Sequence, residues 1–177
     1  MGETVMKMLA INPISLKKRM TEFLFDYLFI LAYLVLLFLG SMLIYIIFFN
    51  GVPEFTEIQS QWLVFLTSIL PITLLFTFLD YKNDGSFGKV KAGLELVYLK
   101  KTVQASLIRN VIKFLPWQIG HMGTIHGFYS EFDVLSISLS ISATLLAVLL
   151  LAMTMFRNDK RHLGDLLAHT QVQLKGD

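Results

Sequence analysis

A chain of 177 residues is long enough for one domain, but at 55% hydrophobic and only 16% charged it is too apolar for a soluble one and reads as a membrane protein. Its formal charge of +2 is too small to point to nucleic acid. The absence of cysteine excludes a disulfide framework, a thiolate nucleophile and any thiolate-held zinc or iron–sulfur centre.

The first span is predicted over about residues 21–49. Residues 27–49, YLFILAYLVLLFLGSMLIYIIFF, are 23 positions without a charge, and about 20 helical residues cross the roughly 30 Å of bilayer hydrocarbon. This run is far longer than the apolar core of a signal peptide and no A-x-A-like site follows it, so no cleavage is expected. The basic residues Lys7, Lys17, Lys18 and Arg19 precede it. The start of the helix carries Arg19, Glu22 and Asp26 at i, i+3 and i+7, which places all three on one face, continued by Tyr33 and Gly40. Asp26 lies about 10 Å inward from Arg19. A carboxylate in hydrocarbon costs about 2.5–3.5 kcal/mol on insertion scales, so Asp26 is expected to face the bundle interior and to have a cationic partner.

Loop 50–61 holds Glu54 and Glu57 but no Lys or Arg. The second span is predicted at 62–79, where Pro71 is expected to bend the helix while a neighbouring group satisfies the carbonyl that the missing N–H frees. Segment 80–102 carries Lys82, Lys89, Lys91, Lys100 and Lys101; NDGSFGK reads as a turn, and the alternation in LELVYL as a strand. The last span is predicted at about 133–156, and residues 157–177 form a tail with Arg157, Lys160, Arg161 and Lys175. In that tail Asp165 starts a helical turn and Thr170–Leu174 alternates polar with apolar. Two lone strands need each other, so 93–98 and 170–174 are predicted to pair as a small antiparallel ribbon.

The distribution of Lys and Arg places both termini and segment 80–102 in the cytoplasm and loop 50–61 outside. Three spans leave the two ends on opposite sides, so charge parity asks for a fourth crossing, and VQASLIRNVIKFLPWQIG at 103–120 is the candidate. It carries Arg109 and Lys113, four apart and on one face, with Leu107, Val111, Ile112 and Leu115 covering much of the rest. As a span it would turn this basic stripe into the bundle. The other reading is an amphipathic helix lying flat on the cytoplasmic surface. Loop 121–133 again lacks Lys and Arg, as an outside loop should.

Four segments together resemble the RDD family of bacterial and archaeal integral membrane proteins, named for one arginine and two aspartates. They are Arg19 with Asp26 at the mouth of the first span, then GSFGKVKAGLELV, then ASLIRNVIKFLP, then RHLGDLLAHTQVQ, in the family's order over about residues 15–174. Lys91 and Glu95 stand around Gly93 where Arg is common in the family, and Gly164 precedes Asp165 where His is usual. The resemblance implies the fold, and it implies transport or ion/proton exchange as suggested for some members.

Arg109 is the expected partner of Asp26, with Arg19 as second choice. Such a pair either orients helices and nothing more, or provides a carboxylate whose exchange of protons and cations drives transport. Asp165 either caps the tail turn or binds the basic residues near GKVK, and Asp159, Lys160 and Arg161 read as a solvated anchor. His121 and His126, with Glu131 and Asp133, lack a metal-ligand spacing. GSFGK lacks the spacing and the Ser/Thr of a phosphate-binding loop, and no catalytic triad or H-E-x-x-H occurs, so no enzyme, cofactor or metal centre is expected. Ser136, Ser138, Ser140 and Ser142 are small hydroxyl residues of the kind that mark close helix packing.

The expectation is therefore an all-α, four-helix transmembrane bundle with a small cytoplasmic β ribbon, one domain over 1–177, in a cytoplasmic (inner) membrane. The ion-coupling or ion-pairing residues are Arg19, Glu22, Asp26, Arg109, Lys113 and Asp165. Two functions follow: a monovalent cation/proton antiporter for Na+ or K+ against H+, working as a homo-oligomer, or a non-transporting accessory, scaffold or immunity protein whose buried ions are structural.

Overall fold

The computed structural model describes residues 14–176; Lys7, counted above among the basic residues, lies outside them. Helix α1 spans Leu16–Phe49, opened by the Ser15 side chain accepting from Lys18 N–H and closed at Asn50 in the left-handed region. Thr56 and Gln59 form a capping box at the head of α2, Glu57–Val64. A π-helical turn over Phe65–Ile69 then leads into α3, Leu70–Asn83. Pro71 explains that turn. Its missing N–H frees the Thr67 carbonyl one turn back, and the Tyr33 hydroxyl of α1 donates to that oxygen.

Of NDGSFGK, the stretch expected as a turn, residues 84–86 form it, and its second half opens a short helix, α4, Phe87–Ala92, capped by Ser86 and ended by Gly93 at φ 66°. Six residues with one Gly and two Lys give no apolar periodicity to read. Strand β1, Leu94–Tyr98, follows directly. Helix α5 is Val103–Ser130, ten residues longer than the predicted span; residues 121–130, expected as loop, are helical. Helix α6 covers Val134–Phe156 behind the Asp133 cap, and the short α7, Leu163–Leu167, leads into β2, Thr170–Leu174. β1 and β2 pair antiparallel, with Leu94 opposite Leu174 and Tyr98 opposite Thr170, as the alternation predicted.

Three helices, Leu16–Phe49, Glu57–Asn83 and Val134–Phe156, are long and apolar enough to cross a membrane. Helix α5 completes the four-helix bundle. At its start, Tyr98 of the ribbon hydrogen-bonds Ser106. Near its end, Tyr129 donates to Phe55 O and His126 Nδ1 lies 2.8 Å from Glu57. At about 1.5 Å per residue its 28 residues measure about 42 Å, so α5 runs the bundle from the ribbon end to the far end. A helix lying flat at one surface would not reach both. Gly123 makes its close approach to α6 possible: a Cβ there would sit 2.8 Å from Ser140 Oγ and 3.0 Å from the Ser136 carbonyl.

Two apolar cores result. Ile72, Phe76 and Phe114 are buried in the bundle with Phe29, Tyr33 and Trp117 against them. Ile14, Leu94, Leu96, Ala105, Ala168 and Val172 form a second core at the ribbon. Asp80 follows Phe76 by one helical turn, and Arg109 lies between Ala105 and Phe114. A charged layer therefore separates the two cores.

Candidate functional site

Helix α1 is inside out by the standards of a soluble protein. Its buried residues are Arg19, Glu22 and Asp26, while Leu36, Ile47 and Phe48 are exposed. Lipid takes the place of a core for the apolar face, and the charged face has to be satisfied by protein.

Helix α4 supplies the satisfaction. Gly88 packs so tightly on α1 that a Cβ would lie 2.1 Å from the Glu22 carbonyl. That approach lets Gly88 N–H donate to Asp26 Oδ1 at 2.9 Å and Ser86 Oγ donate to Oδ2 at 2.8 Å. Lys113 Nζ of α5 reaches the same Oδ2 at 3.2 Å, and sits 4.4 Å from the Phe76 ring centre and 5.3 Å from that of Phe114. The carboxylate that interrupts the first span thus has three donors from two other helices.

The remaining charges alternate in sign. Arg19 pairs with Glu22 at 2.8 Å; Lys89 lies 3.5 Å from Glu22 and 3.2 Å from Asp80; Arg109 contacts Asp80 and Asp165 at 2.6 Å each. Ser86 Oγ accepts from Lys89 Nζ at 3.3 Å and so joins this chain to Asp26 and Lys113. Four cations meet four carboxylates, and Asn110 adds a donor to Asp80 at 3.0 Å. Breaking such a buried pair by removing one member costs about 3–5 kcal/mol, whereas the intact pair returns little over apolar packing. The layer therefore specifies which helix faces meet more than it strengthens the fold.

The tail is held by the same layer. Asp165 takes the third helical position of α7, and His162 is the cap: its Nδ1 accepts from Gly164 N–H at 2.9 Å, and Asp165 Oδ2 accepts from His162 N–H at 3.2 Å. Thr170 of β2 also donates to Asp165. Burial alone would raise the Asp165 carboxyl, but Arg109 and its hydrogen bond hold it well below the usual carboxylate range. Burial pushes the His162 imidazole down to about 4, with Arg109 and Lys113 adding to the effect against the pull of Asp165. Gly164, where the RDD pattern usually has His, packs on α5, and a Cβ would come 2.7 Å from the Arg109 carbonyl.

The six residues singled out in sequence, Arg19, Glu22, Asp26, Arg109, Lys113 and Asp165, all lie in this layer. The pairing differs from expectation. Arg109 does not meet Asp26; it is taken by Asp80 and Asp165, and Lys113, one turn further along α5, serves Asp26. Asp165 likewise reaches Arg109 and not the lysines of GKVK. Asp80 and Lys89 were missed, because charges at a membrane boundary look alike whether solvated or buried. A cue existed in that Asp80 directly ends the uncharged run 62–79. The Asp159–Arg161 segment is more than a solvated anchor: Lys160 O accepts from Arg19, and Asp159 O accepts from Gln171 of β2.

At the far end His126 lies between Glu57 at 2.8 Å and Asp133 at 3.3 Å, tying α2 to the α5–α6 turn. No cluster of metal-ligating side chains occurs among the described residues.

No curated protein and no solved structure matches the chain. A family model does match, over residues 14–169, the same stretch that contains every member of the charged layer. The chain belongs to the RDD family.

Proposed function

We propose that this membrane protein exchanges a monovalent cation for a proton at the Asp26–Lys113 pair. The observation that carries the reading is the position of that pair. Asp80 and Asp165 are sealed, with side-chain exposures of 0% and 1%, whereas Asp26, 5% exposed, lies directly behind Lys113, which is 19% exposed and lines a groove between α5 and α6. Here the Lys113 ammonium is itself the cation on the carboxylate. A Na+ or K+ arriving at Asp26 displaces it, and the freed lysine, beside apolar rings and other cations, releases its proton. One cation enters for each proton that leaves, and the site is neutral in both states. The Asp26 carboxylate supplies the oxygens to the incoming ion, held in place by Ser86 Oγ and Gly88 N–H.

The excess of Lys and Arg at the ribbon end supports a topology with both termini in the cytoplasm. Four helices supply one groove, and alternating access needs a second pathway, so this reading includes a homodimer in the inner membrane. The test is dissipation of a pH gradient by added Na+ or K+ in proteoliposomes. Asp26→Asn abolishes it, and Lys113→Gln uncouples cation entry from proton release. Wild-type protein that is folded, reconstituted and inert to both ions overturns the proposal.

The full compensation of the layer, four cations against four carboxylates, favours a second reading. On that reading the chain is a non-transporting accessory, scaffold or immunity protein, and Asp26→Asn affects assembly alone.

A further inference from the structure

We infer that the groove between α5 and α6 binds an anionic phospholipid, with an acyl chain along its apolar length and a phosphate oxygen at Arg19 and His162. The groove has a volume of about 680 Å³. On α5 it extends from Arg109 to Thr124, fifteen residues and about 22 Å, longer than the roughly 15 Å of one leaflet's hydrocarbon. Its floor is the α5–α6 contact, where a Cβ on Gly120 would touch that of Ala143 at 3.6 Å, and the small side chains of Ala143 and Ala147 leave open the space above it that larger ones would fill. It opens sideways along Thr144, Ala147 and Leu151, which are exposed on the surface that faces lipid.

The ribbon end of the groove is built differently. Arg19, Arg109, Lys113 and His162 line it against a single carboxylate, Glu22. Two of these side chains are buried with a donor left over. Arg19 is 2% exposed; its Nη1 goes to Glu22 and its Nη2 to Lys160 O, but Nε has no acceptor. His162 is 5% exposed; because Nδ1 accepts from Gly164, the neutral ring carries its hydrogen on Nε2. Asp165 Oδ2 lies 3.3 Å from that Nε2 but out of line for a hydrogen bond. A buried donor without an acceptor is costly. Two of them at the cationic mouth of an apolar groove call for an oxygen-rich anion attached to a hydrocarbon chain, and the surrounding bilayer supplies that chemistry. The inference does not rest on ion exchange at Asp26, although Lys113 both lines the groove and pairs with Asp26.

Trp117 lines the groove and Trp62, the only other tryptophan, is 57% exposed on α2. In Trp62→Phe protein, fluorescence therefore reports on the groove. Titration of phosphatidylglycerol with brominated acyl chains into a phosphatidylcholine host should quench Trp117 at about tenfold lower mole fraction than brominated phosphatidylcholine, the size of one charge-assisted hydrogen bond. Arg19→Lys, which keeps the charge and removes Nε, should erase that preference. Ala147→Phe, which leaves every charge in place and fills the groove, should reduce quenching by both lipids. Equal quenching by the two lipids, unchanged in both variants, means a bulk lipid shell and overturns the site. Displacement by millimolar inorganic phosphate would make it a free phosphate site, and equal binding of a brominated fatty acid would make it a carboxylate site; either overturns the phospholipid.

Discussion

Arg109 Nε donates to Asp165 Oδ1 at 2.6 Å and joins residues 56 positions apart, tying the tail to α5 through a side chain that also pairs with Asp80 of α3. Both side chains are buried, at 3% and 1% exposed. Asp165→Asn keeps the shape and removes the charge, leaving Arg109 with excess positive charge in a dry site. The expected loss is about 3–5 kcal/mol of tail docking. Limited proteolysis should then cut within 157–174 in the variant and not in the parent. A protected tail in Asp165→Asn would show that the ribbon pairing alone holds it.

Gly88 should tolerate no side chain. An alanine Cβ placed 2.1 Å from the Glu22 carbonyl must push α4 off α1, and with it the Ser86 and Gly88 donors to Asp26. Overpacking of this kind costs about 1–3 kcal/mol, and the donors lost from Asp26 add to that. The chain has no cysteine, and the Phe29 and Phe87 rings lie 4.8 Å apart between centres. The Phe29→Cys, Phe87→Cys pair should therefore be bridged by a short bifunctional maleimide, and Gly88→Ala in that background should reduce the cross-link. Undiminished cross-linking would mean that α4 docks without the close approach.

What could be read in the sequence was whatever broke a pattern. Arg19, Glu22 and Asp26 stand out because they carry helical spacing into an apolar run, and the ribbon shows because both of its strands alternate. Asp80 ends the uncharged run 62–79 but, like Lys89, lies where a solvated loop is expected to carry charge. Partner choice was equally invisible: Arg109 and Lys113 share one face of α5, and only the docking of the tail, which claims Arg109 through Asp165, leaves Lys113 for Asp26. Residues 121–130 read as loop because of Gly123 and Gly127, yet these glycines face Ser140 and Phe132 in the packed turn, where a Cβ would come within 2.8 Å and 2.6 Å. Glycine at a helix contact and glycine in a loop look the same in one sequence.

The two ends of α5 should lie on opposite sides of the membrane. Phe128 near its end is 75% exposed, and Lys91 just before the ribbon is also exposed. In the cysteine-free chain, Phe128→Cys should react with a membrane-impermeant maleimide from outside intact cells. Lys91→Cys should react only after the membrane is opened. Labelling of both from the same side would mean that α5 does not cross.

The tail should loosen in mild acid before Asp165 is protonated. His162 titrates near 6.5 in an undocked tail and at about 4 when buried. A histidine with a lowered folded value contributes docking stability that is complete above about pH 6.5 and is lost as pH falls toward 4, because the undocked state takes up the proton first. A gap of that size corresponds to about 3 kcal/mol. Asp165, held below the usual carboxylate range, contributes only at still lower pH. Hydrogen exchange of residues 163–174 should therefore accelerate between pH 6.5 and 4.5 relative to the bundle helices. His162→Asn separates capping from titration, since its side-chain oxygen can still accept from Gly164 N–H while nothing in it ionises. The variant should keep the tail docked and flatten the pH response; a response that persists in His162→Asn would place the acid sensor elsewhere in the charged layer.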